Sequence, residues 1–399
     1  MFQNSWSQRT QQPLILPILT ILLPILHADP ARGGAERYTI DLAVGLRKRG
    51  HVAHIAASTF GQGIQTSGGV LIDAGGSTRH NRYLRYLDQL DRHLASHHYD
   101  IVHAMLPVRR CDVYHPHAGI AAAALAGGHL KYEGALMQAV SRVATRLNRR
   151  RQRFGEVERM LLTGEHAPVV LCLSKYVQAA VRQYYRLPDS RMAILFNAVD
   201  LSKFDPAREP DVRNQERQRL GIEDDQIIAL MIANDFERKG LPEAIAAIGK
   251  AADPRLVLVV AGKQNPRPYR AIAAKIDNAR VTFAGTVADP FPLYRAADFF
   301  LLPTHHDPCS LVLLEALAMG LPAISTIFNG ACEIMTDGRE GFVVRDPNDA
   351  VTIAHMIRQM LDADRRALMS EAALALRPQL AYDRHLNALE EIYHRVIHT

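Results

Sequence analysis

The sequence predicts an α/β protein with two parallel-sheet domains facing each other across a cleft. Three observations carry that reading: strand-like apolar runs alternate with helical patterns, the alternation occurs twice, and a stretch of turn residues near residue 198 separates the two series. A chain of 399 residues with 48% apolar content can bury more than one core. The balance of 47 Lys plus Arg against 41 Asp plus Glu leaves a formal charge of +6, too little to demand a nucleic-acid partner. The four cysteines, Cys111, Cys172, Cys309 and Cys332, have no paired short spacing. That argues against a zinc knuckle, a redox pair or a disulfide framework, and fits a reducing cytoplasm.

The first element is read from "PLILPILTILLPIL", residues 13–26. Its length falls short of the roughly 20 residues a spanning helix needs, and Pro17 and Pro24 would break a helix. A small-residue cleavage site is missing as well. Residues 18–26 are therefore expected as a buried first strand and residues 1–12 as a disordered or misassigned start. A helix over roughly 34–49 follows, then "HVAHIAA", a helix near 83–97, "DIVHAML" and "VVLCLS". The second series runs "IIALMIA", a helix at 241–251, "RLVLVVAG", a helix at 267–277, "VTFAG", "FFLLP", a helix at 311–319, "PAISTI" and "GFVV". This is the βαβ rhythm of parallel sheets covered by helices. Between the series, "ILFNAVDLSKFDPAREPD" carries Asn197, Asp200, Pro206 and Pro210, which sets the boundary near 198. The expected units are residues 1–197, residues 198–375, and a last helix within 376–399 packing back toward the first unit.

Open α/β sheets bind ligands beyond the carboxyl ends of their strands, and four segments are placed there. In "DPARGGAER", Gly33 and Gly34 sit between the first strand and its helix. They either let backbone N–H groups approach an anion or serve a simple turn. In "NDFERKG", the adjacent cations Arg238 and Lys239 follow a strand and suit a diphosphate, unless they are a solvated pair. In "DPCSLVLLE", Asp307, Pro308 and Ser310 make a helix start with Ser310 as a plausible cap, and Glu315 lies about one turn inside. Free N–H groups at that start suit phosphate, and the carboxylates suit sugar hydroxyls. In "CDVYHPHAG", Asp112, His115 and His117 offer groups to orient a hydroxyl or stabilise a departing phosphate. The pairs His115/His117 and His305/His306 lack a third ligand at usual spacing, so no metal is expected.

The segments "NAVDLSKF", "NDFERKG", "VVAGK", "VTFAGTV" and "YRAADFFLLPTHHDPCSLVLLEALAMGLPAISTIFNGACEIM" resemble family 4 of the nucleotide-sugar glycosyltransferases, retaining enzymes of the GT-B fold. The resemblance runs from about residue 18 to the C-terminus. It implies two Rossmann-like domains, an N-terminal one for the acceptor and a C-terminal one for the nucleotide sugar. The family's glutamate, seven residues, glutamate motif falls on Asp307 and Glu315, with the first acid one methylene shorter here. By that resemblance Glu315 binds the nucleotide ribose, Asp307 binds hydroxyls of the donor sugar, and Arg238 and Lys239 hold the diphosphate. Ser310, Leu311 and Val312 form the turn whose backbone meets the phosphate, and Gly33 and Gly34 match the N-domain glycine loop. The two acids then grip the donor at two points and are not a glycosidase acid/base pair.

Within the family, "FERKG" and "DVYHPHAG" are most similar to lipopolysaccharide core glucosyltransferases. Ala118 stands where those enzymes carry an acid, which moves the expected catalytic contact to His117, ahead of Asp112. The resemblance implies retaining transfer of a hexose, with glucose and a UDP-sugar favoured, to a lipid-linked or cell-envelope saccharide. It implies no cofactor beyond the nucleotide-sugar co-substrate and no metal.

One further stretch, "SRVATRLNRRRQRFG", carries Arg142, Arg146, Arg149, Arg150, Arg151 and Arg153, with Leu136, Val140, Val143 and Leu147 at helical spacing. Such a basic amphipathic helix suits an anionic membrane surface and, without interleaved aromatics, not nucleic acid. The location implied is cytoplasmic, peripheral on the inner face of the membrane. The alternatives are a nucleotide-sugar-binding protein without transfer and a GT-B epimerase that needs no acceptor. A dinucleotide oxidoreductase is disfavoured because no G-x-G-x-x-G fingerprint is complete.

Overall fold

The computed structural model describes residues 17–62, 64, 68–75, 78–127 and 149–398. Strands β1 (Thr20–Pro24), β2 (Val52–Ala57), β3 (Gly69–Leu71), β4 (Ile101–Ala104), β5 (Val113–Tyr114), β6 (Val169–Cys172) and β7 (Met192–Ile194) form one sheet in the order β3-β2-β1-β4-β5-β6-β7. Strands β8 (Ile227–Ile232), β9 (Leu256–Ala261), β10 (Val281–Gly285), β11 (Phe299–Leu302), β12 (Ala323–Thr326) and β13 (Gly341–Val344) form the second, in the order β10-β9-β8-β11-β12-β13. Every strand pair is parallel.

Helices cover both faces of such sheets, so a central strand reads as an unbroken apolar run. All six residues of β9 are buried, as are all four of β11 and of β12. The order reverses between β1 and β4 in the first sheet and between β8 and β11 in the second. Neighbouring strands at a reversal send their loops apart and open a crevice, which is where such sheets hold ligands.

The first strand is shorter than residues 18–26, because Pro24 ends the run and the chain continues as irregular backbone. The helix expected over 267–277 stops at Ala273, and its last turn tightens through Lys275 N–H to Ile272 O and Ile276 N–H to Ala273 O. Strands β3, β5 and β7 have two or three residues each, too few for periodicity to reveal. Most of the basic stretch, including Arg142 and Arg146, lies outside the described residues; the helix Arg149–Thr163 is its described continuation. Among the described residues, no helix is long and apolar enough to cross a membrane.

The last helix, Tyr382–Ile397, packs on the first sheet rather than on the second. Leu386, Leu389, Ile392 and Tyr393 share a core with Ile21, Leu23, Leu42 and Ile55. Arg49 bonds Glu390 at 2.8 Å, His103 Nδ1 pairs with the Tyr393 hydroxyl at 2.6 Å, and the Tyr38 hydroxyl pairs with His385 Nε2 at 2.8 Å.

A single buried carboxylate organises the side of the first sheet that carries the 115–120 loop. Glu158 accepts hydrogen bonds from the hydroxyls of Tyr114 and Tyr185, both at 2.6 Å, and from the N–H groups of Ala121 and Ala122 at 3.0 and 3.3 Å. It thereby joins β5, two helices and the start of the helix Ala121–Gly127. Replacing Glu158 by Ala strands four donors, two of them buried hydroxyls, and is expected to cost about 2–4 kcal/mol, with Glu158→Gln losing roughly half as much. Urea denaturation checks both; equal midpoints for Glu158→Ala and wild type would contradict this role.

Candidate functional site

The crevice of the second sheet lies between the loop after β8 and the loop after β11. The first of these turns tightly, with Lys239 N–H on Asp235 O and Gly240 N–H on Glu237 O, and presents Arg238 and Lys239 side by side. The second presents Asp307. Lys239 and Asp307, 68 positions apart in sequence, form a buried ion pair. Burial alone would raise the Asp307 carboxyl, but the Lys239 ammonium, with help from Arg238, outweighs it and holds the group below its ordinary value. Burial pushes Lys239 down, with Asp307 opposing. Arg238 donates to His306 O at 2.6 Å and pairs with Asp235 at 3.3 Å. Arg238 and Lys239 are therefore balanced by Asp235 and Asp307, and each cation can be shared with an incoming anion without creating a lone charge.

The loop from His306 to Ser310 is tethered through its carbonyls. Arg238 takes His306 O, Gly330 N–H takes Asp307 O at 2.9 Å, Ser174 Oγ takes Pro308 O at 2.7 Å, and Asn197 Nδ2 takes Cys309 O at 2.8 Å. Ser310 N–H goes to Asn329 Oδ1 at 3.2 Å. Ser310 stands at the N-cap position of the helix Leu311–Ala318, but its hydroxyl makes no bond to the first turn. Extended backbone at Ser310 fits the cap position; the side-chain cap itself does not form. The first bond of the helix runs from Leu314 N–H to Ser310 O, which leaves the N–H groups of Leu311, Val312 and Leu313 without intrahelical partners. They gather at the positive end of a helix dipole.

Glu315 lies one turn deeper and is buried. The Tyr294 hydroxyl donates to its Oε2 at 2.8 Å. Burial pushes this carboxyl up to about 7, against the Tyr294 bond and the nearby charges of Arg37 and Lys203. A carboxylate with one firm donor in a closed setting has acceptor capacity to spare for ligand hydroxyls.

The N-terminal domain supplies the facing wall. A Cβ at Gly34 would stand 3.2 Å from the Leu311 side chain, so the glycine turn and the start of the Leu311–Ala318 helix are in contact across the crevice. Gly33 is extended (φ 172°) and Gly34 is outside the left-handed region that favours glycine, so closeness and not turn geometry distinguishes this pair. Lys263, after β9, reaches Arg32 O at 3.3 Å from the other side.

His115 and His117 follow β5 at its carboxyl end. The His117 ring lies 4.2 Å from those of Tyr38 and His115, and its Nε2 is enclosed without a hydrogen-bond partner. Burial first, then His385, pushes His117 down to about 3, so it presents a neutral imidazole at working pH. Asp112 is elsewhere. Because Val113 and Tyr114 are a strand, Asp112 falls at the opposite, amino edge of the sheet, where its Oδ2 accepts from Val102 N–H at 2.7 Å. It is spent on backbone and stands apart from His117 and from the crevice.

His305 and His306 diverge: His305 pairs with Glu243 at 2.9 Å and His306 Nδ1 with the Tyr176 hydroxyl at 2.7 Å. Among the described residues, no group of three or more His, Cys, Asp or Glu is placed to hold a metal ion. Sequence reasoning missed Tyr294, Ser174, Asn329 and Asp235. All are common residue types in ordinary settings, and none carries a local signal.

Both halves of the chain match known families. Residues 32–203 match Glycosyltransferase Family 4, and residues 212–375 match Glycosyl transferases group 1. The lipopolysaccharide glucosyltransferase WaaG of Escherichia coli (strain K12) is 25% identical over 334 residues, 82% of this chain and 86% of that protein. The crystal structure of WaaG superposes with a TM-score of 0.77 at 24% identity, over 90% of this chain and 95% of that one. Anabaena HepE in complex with UDP-glucose superposes with a TM-score of 0.71 at 18% identity, over 94% and 100% of the two chains. At such identities the superpositions establish the fold. Two crevice-forming sheet domains, with a glycosyltransferase match on each half, place this chain among the family 4 glycosyltransferases of the GT-B fold.

Proposed function

We propose that this glycosyltransferase moves a hexose, glucose first among candidates, from a UDP-sugar to a lipid-linked or cell-envelope saccharide of the lipopolysaccharide-core type, with retention at the anomeric carbon and without a metal. The observation that carries the donor half is the convergence of Arg238, Lys239, the free N–H groups of Leu311 to Leu313, and Glu315 on one crevice. Its groups match a nucleotide sugar in order: N–H groups and cations for the diphosphate, Glu315 for ribose hydroxyls, and Asp307 for hydroxyls of the sugar. The acceptor half rests on likeness to WaaG, a lipopolysaccharide glucosyltransferase.

In this reading the C-terminal domain, 198–375, holds the donor and the N-terminal domain, 1–197, the acceptor. As the bond to the anomeric carbon breaks, charge grows on the leaving diphosphate, where Lys239, Arg238 and the helix N-terminus already stand. The acceptor hydroxyl attacks from the same face and passes its proton to a leaving-phosphate oxygen. Neutral His117, on the facing wall, orients that hydroxyl or the donor sugar through its unpartnered Nε2. Asp112 takes no part. The protein works at the cytoplasmic membrane surface, with the basic stretch through Arg142–Arg153 as its contact and no nucleic acid bound.

Glu315 sets a pH dependence. Its value near 7 means that a proton occupies it at lower pH, and ribose hydroxyls donating to the carboxylate must expel that proton. UDP-glucose affinity is therefore expected to fall as pH drops below 7, by up to about tenfold per unit, and to level off above pH 8. Glu315→Gln should bind roughly 10–100-fold more weakly and lose the pH dependence. Calorimetric titration from pH 5.5 to 8.5 checks both; wild-type affinity that rises toward acid would refute this role.

Lys239→Met should lower turnover by about 10²–10³-fold. It also leaves Asp307 buried without its partner, at a cost of about 3–5 kcal/mol in stability. UDP release from UDP-glucose with core-truncated lipopolysaccharide, measured beside thermal unfolding, tests the pair of effects. A stable variant with full turnover would remove Lys239 from the mechanism.

A further inference from the structure

Behind the crevice, the segment after β12 welds the two domains together. Glu333, in the short 3-10 turn Gly330–Ile334, extends its carboxylate onto the first turn of the helix Lys175–Tyr185 in the N-terminal domain. Its Oε2 accepts from Lys175 N–H at 2.8 Å and its Oε1 from Tyr176 N–H at 2.7 Å. A carboxylate bridging two N–H groups at the positive end of a helix is a charge-assisted contact fixed at two points. Ser174, the N-cap of the same helix, accepts from Val177 N–H at 3.2 Å while it donates to Pro308 O. The Tyr176 hydroxyl adds the bond to His306.

The near end of this segment is fastened to the donor loop. Asp307 N–H donates to Phe328 O at 2.8 Å, Gly330 N–H returns to Asp307 O, and Asn329 Oδ1 serves Ser310 and Ala331. A Cβ at Gly330 would stand 2.0 Å from Pro308 O and 2.2 Å from Ser174 Oγ, so the three segments meet with no space for a side chain. A path thus runs from the Lys175–Tyr185 helix by hydrogen bonds to Glu333, along the short turn to Gly330, and by the Gly330 N–H to the backbone of Asp307.

We propose that Glu333 is a positioning residue for transfer, which sets the N-terminal domain in register with the donor loop. The inference rests on the donor reading above. The groups assigned to the diphosphate and ribose, Arg238, Lys239, the N–H groups of Leu311 to Leu313, and Glu315, all belong to the C-terminal domain. Nucleotide affinity is therefore independent of this contact. Transfer depends on it, because acceptor and donor are carried on different domains and a misplacement near 1 Å can cost about 10²-fold in rate.

Glu333→Ala, Glu333→Gln, Glu333→Asp and Tyr176→Phe separate the two quantities, with UDP affinity measured by calorimetry and kcat from UDP release by UDP-glucose with core-truncated lipopolysaccharide as acceptor. Glu333→Ala is expected to lower kcat at least tenfold with the UDP Kd within threefold of wild type. Glu333→Gln keeps one acceptor oxygen and should recover most of the loss. Tyr176→Phe removes only the neighbouring bond to His306 and keeps the N–H that Glu333 holds; Glu333→Asp, whose shorter side chain does not reach both N–H groups, should lower kcat several-fold at unchanged UDP affinity and decides the question if Glu333→Ala does not fold. A kcat for Glu333→Ala within twofold of wild type overturns the proposal, as does a parallel loss of UDP affinity and kcat. Wild-type protein that neither binds UDP nor releases it from UDP-glucose overturns the donor reading itself and this inference with it.

Discussion

Four consecutive carbonyl groups, from His306 to Cys309, are each bonded to a group outside their own loop, and the rest of the site depends on that tether. Each such bond contributes only about 1 kcal/mol net. Together they leave the loop one conformation, in which its oxygens face protein and the next N–H groups in the chain face the crevice. The donors come from both halves: Arg238 and Gly330 from the second sheet, Ser174 from the first, and Asn197 from the connection between them. The groups that touch the anion at the Leu311–Ala318 helix thus all lie in the second domain, and the first domain adds one tether to their loop, through Ser174.

Charge follows the same logic. Arg238 and Lys239 are the cations at the mouth of that helix, and each already has a carboxylate, Asp235 and Asp307. A buried pair of this kind adds little stability beyond an apolar pair of similar volume, because desolvation offsets attraction. Its value lies in readiness: Asp307 opposes the downward push of burial on Lys239, and Lys239 holds the Asp307 carboxyl below its ordinary value, ready as an acceptor. Glu315 is treated in the opposite way, buried with one phenol and left partly protonated near neutrality. Two carboxylates eight positions apart therefore carry different protonation states because one has a buried cation and the other a hydroxyl.

Much of this was legible in the sequence because it rests on local pattern. The runs of β8, β9, β11 and β12 are buried on both faces and stand out as continuous apolar stretches, and the helices Gly34–Lys48, Leu241–Ala251 and Leu311–Ala318 end close to where their residues suggested. The spacing from Asp307 to Glu315 placed both acids correctly, one in the loop and one inside the helix. The tethers were not legible. Ser174 and Asn197 reach their partners across 134 and 112 positions, and nothing in a lone Ser or Asn announces that reach. Asp112 was misplaced because the two-residue strand β5 is too short to show a period, and that strand puts Asp112 and His117 at opposite edges of the sheet.

The most direct test of the account is a crystal structure of the protein with UDP-glucose bound. The account predicts diphosphate oxygens within hydrogen-bonding distance of the Leu311 and Val312 N–H groups and of Arg238 and Lys239, with ribose hydroxyls on Glu315. A diphosphate held only by the Gly33–Gly34 turn, with Glu315 still bonded to Tyr294 alone, would contradict it.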